Sequence, residues 1–436
     1  MIGATASHLA YSAIAVGIGV TAVLVLLGIS AYPRLSSGWK LAYVAFLTVV
    51  LAITVWRLAG VMRANIVHLP EWDFLSFWLY GKAALAGQDV YVPGTVATLA
   101  TNLHPSAAFK QEIIDTGFWY PPQTLLLFAP LGLFELRSAY AVWYGFNTLV
   151  IAADIALLWL IFMPRERTSL AAMAALFLLL PGTLQTIAYG QTNFIALGAL
   201  LLFWLFRGRL VGGAWMAIGT IVKPFLAILF LFTLLRRQLT VLTSGVATLI
   251  ITSFATSVLF GWQTFASYFH LRHYALLPAW VYTEATNQSL LATILRFRHS
   301  ELLESPYDAT YVLLAILFFA LTCALMLRLE GSSDEWTLAL FILFSLIVYP
   351  TSQMFYSIIL VVPLLLLWKH RGAMRYGALA VAVVAGLAYT LMLTQVFWAT
   401  LLLWCAVAVV ALGIATRSGI APVHSPTASA GELVGG

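Results

Sequence analysis

Long uninterrupted apolar runs constrain this chain more than any other feature. Ala10 to Ile29, Leu41 to Val61, Leu239 to Leu259, Ala309 to Leu327 and Phe397 to Ala415 approach or exceed the roughly 20 apolar residues that carry an α-helix across a bilayer. Each is helical by necessity, because an unpaired backbone group cannot face hydrocarbon. Of the 436 residues, 62% are hydrophobic and 9% charged, against about 25% charged in an ordinary soluble domain. So few charges cannot cover a water-exposed surface, and a soluble fold is excluded. The 22 basic and 16 acidic side chains leave a net charge of +6, yet the basic ones sit in short clusters between apolar runs. That is the pattern of cytoplasmic loops and not of a nucleic-acid surface. Cys323 and Cys405 both lie inside apolar runs, so neither a disulfide framework nor a cysteine metal site is available. The opening segment MIGATASHLAYS carries no basic residue before its apolar run, which points to a retained span and not a cleaved signal.

Candidate crossings run about 8–30, 41–61, 138–162, 168–188, 192–206, 210–222, 225–235, 239–260, 309–328, 336–349, 353–368, 373–393 and 396–416. The expected fold is an all-α polytopic membrane bundle of about 11–13 transmembrane helices. Residues 1–416 read as one transmembrane domain without internal repeat, and 417–436, rich in Gly, Ala, Ser and Pro, as a disordered tail. Arg34 with Lys40, Arg165 with Arg167, Arg207 with Arg209, Arg236 with Arg237, and Lys369 with Arg371 and Arg375 all fall on one side, cytoplasmic by the positive-inside rule. Two long polar loops then lie outside. Residues 62–121 hold three basic against five acidic residues, a net of −2, and residues 262–308 hold three Arg against four acids, a net of −1. The same parity puts three short turns outside: Gly190 to Asn193, Lys223-Pro224 and Tyr349 to Gln353. The pair 210–222 and 225–235 has an alternative reading as one crossing with Lys223 at mid-membrane. The hairpin is preferred, since it keeps both flanking Arg pairs cytoplasmic. Tyr120 to Phe134, with two prolines at its head, reads as a half-membrane helix.

Glu71-Trp72-Asp73 opens an amphipathic stretch in which Phe74, Phe77 and Trp78 share a helical face. Such a helix lies naturally in the membrane interface. Asp73 has two readings: a helix-start acid, which Asp favours, or a general base whose partial desolvation lifts its pKa toward neutrality. Lys223 has two as well. It is the only charge between Arg209 and Arg236, either snorkelling to the headgroups or holding a lipid-linked phosphate. Gln191 and Asn193 are amides at helix ends, where such groups also satisfy backbone. In the second loop His270 and His273 lie three residues apart beside Arg272, but two His without a third ligand make a poor metal site. Asn287-Gln288-Ser289 fits an N-glycosylation sequon. Trp72, Phe77, Trp78, Trp119 and Tyr120 are sugar-stacking candidates or interfacial anchors.

These pieces occur in a recognisable order: Asp73-Phe74 with Phe77 and Leu85-Ala86-Gly87, Phe118 to Pro122 with Leu127 to Leu131, Gly190 to Asn193, Gly208-Arg209 with Gly212-Gly213, Lys223-Pro224, and Asn287 to Leu290. In that order the sequence resembles glycosyltransferase family 87, the polyprenol-phosphate-mannose-dependent mannosyltransferases of the GT-C superfamily, over roughly residues 65–370. The resemblance implies a GT-C-like bundle whose first outer loop carries the catalytic acid, here Asp73, with Glu71 completing an E-x-D motif. It implies that Lys223 contacts the donor phosphate. Tyr120, Gln191, Asn193, Asn287 and Gln288 stand in the matching blocks as substrate-binding residues, and Arg272 and His273 are candidates to aid Lys223. The family's late outer turn reads like S-P-x-S-W-x-H-H. Here it is Tyr349 to Tyr356, with Phe355 and Tyr356 at the two histidine positions.

The expected activity is transfer of a hexose, mannose by the resemblance, from a polyprenyl-phosphate sugar to a lipid or glycan acceptor, with inversion. The site is expected on the outer, periplasmic face of a bacterial plasma membrane. Nucleotide sugars are charged cytoplasmic solutes, so an outer site suits a lipid-carried donor. No cofactor is expected, and a divalent metal is not indicated. A transporter or flippase is disfavoured because such proteins place polar residues at the midplane and often carry repeats. A non-catalytic envelope-assembly subunit is the other alternative.

Overall fold

The computed structural model describes residues 2–417 apart from 72, 93, 102, 104, 164–166, 275–278, 299–307, 330–333 and 374–375. Trp72, Arg165, Arg375, His299 and the tail beyond Arg417 therefore lie outside the described residues. The chain is all-α: helices make up nearly every described element, and one isolated antiparallel bridge, Asn287 with Gln353, is present.

Seven described helices are long and apolar enough to cross a membrane: Ala10–Arg34, Ser37–His68, Leu136–Phe162, Leu239–Phe260, Ala309–Arg328, Gly377–Thr394 and Val396–Thr416. Thr168–Leu179 and Pro181–Tyr189 make an eighth if taken as one span bent by 59°. The bend is at Pro181, which has no N–H to continue the ladder. Thr183 Oγ1 donates to the freed Phe177 carbonyl at 2.7 Å. The remaining apolar helices, Pro122–Leu133, Asn193–Phe206, Leu210–Val222, Pro224–Leu235 and Met354–Lys369, have 10–17 residues. At about 1.5 Å per residue most of these stop short of the roughly 30 Å hydrocarbon core. The expected 11–13 crossings thus resolve into seven or eight full-length helices and a set of shorter ones.

Apolar side chains on the long helices face outward. Ile250, Ile251, Phe254 and Val258 are 63–71% exposed, which is stable only where the solvent is lipid. Inside them the Asp334–Val348 helix is buried at every residue from Glu335 to Ile347, as a helix apolar on all sides must be. Its first turn gathers the basic loops. Arg207 lies 3.7 Å from Glu335, Lys369 2.9 Å from Glu335 and Arg236 3.2 Å from Asp334. Arg207 and Arg236 precede and follow the Lys223 segment, so the chain reverses there. Thr233 Oγ1 also reaches Met216 Sδ at 3.8 Å, and a Cβ on Gly219 would meet Leu226 at 3.1 Å. These pairings are antiparallel, and the single-crossing alternative falls away.

The Asp73–Leu85 helix is not an interfacial anchor. Phe74, Phe77, Trp78 and five of the seven residues after Trp78 are buried. Gly81 packs so closely that a Cβ there would lie 2.3 Å from the Phe128 carbonyl oxygen. The partner is the short Pro122–Leu133 helix, which starts at its prolines as the sequence predicts. The amphipathic pattern buries against protein, because the folded first loop supplies an apolar surface nearer than lipid does.

Candidate active site

At the end of the bundle opposite the Asp334–Glu335 cluster, the turns converge on a cavity of about 350 Å³. Asp73 enters it from the first turn of its helix. The approach is fixed by Tyr140, whose hydroxyl donates to the Pro70 carbonyl at 2.7 Å, and by Phe74 packed on Tyr140 and Trp143 at 4.4 and 5.7 Å between ring centres.

Gln191 enters from the turn after Tyr189. Gly190 closes that helix with φ +69°, its N–H donating to Ile187, while the Gln191 N–H donates to Thr186 at 2.9 Å. This is a left-handed helix end, where glycine carries no steric cost. A Cβ on Gly190 would also come within 2.5 Å of Phe74 Cβ. Glycine is thus what lets the Gln191 turn and the Asp73 helix touch, and both side chains line the one cavity.

Lys223 supplies the cation. It sits at the tip of the hairpin in extended backbone, where Pro224 prevents helix continuation. It is 1% exposed, and its Nζ donates to Tyr120 Oη and to Gln191 Oε1, both at 2.8 Å. The rings of Tyr120, Phe355 and Tyr356 lie around it with centres 5.1, 5.5 and 4.8 Å from Nζ. A buried ammonium is costly unless paired, and three aromatic faces with two oxygen acceptors meet that need. The two positions where the resemblance leads one to expect histidines are therefore two walls of a cation cage.

Burial raises the Asp73 pKa above the ordinary carboxylate value. The Gln191 hydrogen bond and the Lys223 charge oppose the shift, and Glu284 adds to it. Asp73 and Lys223 thus share the cavity with Gln191, one disposed to accept a proton and the other to hold negative charge.

The other expected site residues separate into groups. Tyr120 lines the cavity, as do Glu71, Phe77 and Trp119. The Glu71 carboxylate accepts from the Ser106 backbone N–H at 2.7 Å and from the Ser106 hydroxyl. It ties down the first loop, which is a different part from that of a second acid beside Asp73. Asn193 Nδ2 donates to Thr186 Oγ1 at 3.1 Å and to the Phe355 carbonyl at 3.3 Å, so it supports the cage from behind. Asn287 is fully buried, donating to the carbonyls of Val281 and Pro350 at 3.0 and 2.9 Å, while Gln288 donates to that of Ala285. Neither lines the cavity. With the Asn287–Gln353 bridge they staple the second loop to the late turn, and a buried, bonded Asn287 is no glycan acceptor. Arg272 and His273 belong to the helix Gln263–Tyr274, but their side chains lie outside what the structure describes. Trp78 is buried, donating to the Phe134 carbonyl at 3.0 Å.

Sequence reading missed Trp280 and Glu284, which also line the cavity. Nothing local separates Glu284 from the other acids of its loop. Among the described residues no three His, Cys, Asp or Glu side chains come together to hold a metal ion.

Comparison with known proteins adds two findings. The model of glycosyltransferase family 87 matches residues 118–350, the stretch holding Tyr120, Gln191, Lys223 and Glu284. A protein of Mycolicibacterium smegmatis (strain ATCC 700084 / mc(2)155), described as an alpha-(1->3)-arabinofuranosyltransferase, is 32% identical over 196 residues. That match covers 42% of this chain and 45% of the relative, so the chain matches less than half of the relative's length. No solved structure matches significantly.

Proposed function

The chain belongs to glycosyltransferase family 87, and from that premise we propose that it transfers a glycosyl group from a polyprenyl-phosphate sugar to an acceptor hydroxyl. It is an integral membrane glycosyltransferase. In the proposed reaction Asp73 takes the proton of the acceptor hydroxyl. The acceptor oxygen bonds to the anomeric carbon as the bond from that carbon to the phosphate oxygen breaks on the opposite face, inverting the configuration. The electron pair leaves with the polyprenyl phosphate. Lys223 stabilises the charge developing there. Of its three N–H donors, two are used by Tyr120 and Gln191, and the third is left for a phosphate oxygen. The observation that carries this reading is the convergence of Asp73, Gln191 and Lys223 on one cavity, where Gln191 holds the Lys223 ammonium and the Lys223 charge acts on Asp73.

The site lies at the end of the bundle away from Arg207, Arg236 and Lys369. By the positive-inside rule that end is the outer, periplasmic face of a plasma membrane. An outer site has no supply of nucleotide sugars, which supports a lipid-phosphate donor. Mannose is the sugar expected from the sequence resemblance. The relative's description favours a second reading, arabinofuranose, and the acceptor is a lipid or a glycan.

The test is transfer of label from polyprenyl-phosphate-[¹⁴C]mannose and polyprenyl-phosphate-[¹⁴C]arabinose into new glycolipid or glycan. Purified protein in nanodiscs, with a membrane lipid extract, is compared with Asp73→Asn. Transfer by the parent and none by a folded Asp73→Asn supports the reading, and the labelled donor consumed names the sugar. No transfer from either donor would overturn the assignment of both sugars and move the search to other polyprenyl-phosphate sugars. In sealed proteoliposomes, label carried across the membrane without a new bond would establish a flippase instead.

A further inference from the structure

Part of the cavity lining comes from the second loop. The short helix Ala279–Thr283 continues one residue further through a bond from the Glu284 N–H to the Trp280 carbonyl at 2.8 Å. Trp280 and Glu284 are thus four residues apart on one helical face, and both line the cavity. Val281, which also lines the cavity, and Tyr282 are buried, and Arg296 donates to the Glu284 carbonyl at 3.1 Å. The backbone is anchored while the two side chains point into the open. Trp280 is 41% exposed, and the Glu284 carboxylate has no hydrogen bond or ion pair among the described residues.

Building on the proposed transferase reading, we infer that Trp280 and Glu284 form an acceptor subsite whose ligand is a neutral sugar ring, so that the acceptor is a glycan and not a simple lipid alcohol. An indole face matches the C–H face of a pyranose or furanose, and a carboxylate accepts from two ring hydroxyls at once. A polyprenol offers one hydroxyl and no ring, so it would leave both groups unused. An interfacial anchor, the other ordinary use of such a tryptophan, has no need of a carboxylate on the same face within an active-site cavity. Position fits as well: Lys223 is buried at the depth of the site, whereas Trp280 and Glu284 are exposed. A donor phosphate at Lys223 and an acceptor ring at Trp280 would share the cavity that Asp73 lines, as proton removal requires. The cavity's charges select against an anionic acceptor, since Glu71, Asp73 and Glu284 oppose the single cation Lys223 among its described lining residues.

The test is saturation-transfer NMR on the full chain in nanodiscs, without donor, using octyl α-mannoside and octyl α-arabinofuranoside as probes and octanol as the sugar-free control. The parent is expected to saturate the ring protons of at least one glycoside. Trp280→Phe should retain part of the effect, Trp280→Ala should abolish it, and Glu284→Gln should weaken binding about tenfold through lost charged acceptors. Saturation confined to the alkyl chain, or ring saturation unchanged in folded Trp280→Ala, overturns the inference. Release of free sugar from a polyprenyl-phosphate donor by the parent reports on the transferase reading separately. Ring saturation that depends on Trp280 with no donor turnover would leave the sugar subsite standing and that reading fallen.

Discussion

The Lys223 ammonium lies 4.8 Å from the centre of the Tyr356 ring. A neutral aromatic face attracts a buried cation, whereas an imidazolium in its place would repel it. Coulomb's law gives about 3 kcal/mol for two charges near 5 Å at an effective dielectric of 20. We expect Tyr356→His to track the parent at pH 8, where imidazole is neutral, and to fall below it only under about pH 5, because about 3 kcal/mol of repulsion lowers the imidazole pKa by about two units. Repulsion from Lys223 should set the midpoint below the ordinary histidine value of about 6.5. The ratio of variant to parent rate across pH is the measurement, and a flat ratio would show that ring 356 does not act on the cation.

Asp73 sets the acid limb of the parent's own profile. The proposed base works only when ionised, so the rate falls as pH drops through its pKa. Burial places that pKa above the ordinary value, which is about 3.9 for Asp, so the fall begins at higher pH than a solvated carboxylate would give. Asp73→Asn should lower kcat by about 10²–10⁴ and remove the limb. A limb that persists in the residual activity of the variant would assign it to another group.

Two glycine substitutions separate close packing from helix propensity. A Cβ on Gly81 would lie 2.3 Å from the Phe128 carbonyl oxygen. Gly81→Ala should therefore force the Asp73 helix off its partner, at a cost of about 1–3 kcal/mol, and lower both Tm and kcat. Gly145 meets nothing within 4 Å, and Gly145→Ala should leave Tm unchanged or slightly raised. Thermal unfolding of the two variants side by side is the check, and equal effects would contradict the packing at Gly81.

Asn287 donates to the carbonyls of Val281 and Pro350. Asn287→Ala should leave both buried acceptors without that partner, cost about 1–3 kcal/mol and lower Tm. Intact mass of the parent from a glycosylating host should show no glycan at this sequon. A glycan there would mean that the segment opens to solvent.

Sidedness is open to direct labelling. In a background with Cys323 and Cys405 replaced by Ala, a membrane-impermeant maleimide applied to intact cells should modify Glu284→Cys and not Arg209→Cys. Inverted vesicles should reverse the pattern. Labelling of both from one side would break the link between the arginine cluster and the cytoplasmic face.

Sequence alone determined which solvent each segment tolerates. Apolar runs determined the all-helical membrane class, and the Arg pairs flanking Lys223 favoured the hairpin over a single crossing, because the cost of placing charge in lipid is a property of the segment itself. The same reasoning singled out Asp73, Lys223, Tyr120 and Gln191, polar groups at the ends of apolar helices that the fold gathers in one cavity. Only the tertiary structure decided the rest. Asn287 looks like a site residue until Pro350, 63 positions away, takes its amide. Phe355 and Tyr356 look like missing histidines until the Lys223 ammonium is found beside both rings. Glu284 looks like any loop acid until it is seen lining the cavity that holds Asp73. Local pattern cannot tell a polar side chain that turns to backbone from one that faces a cavity. That choice is made by distant partners, and only the fold brings them into contact.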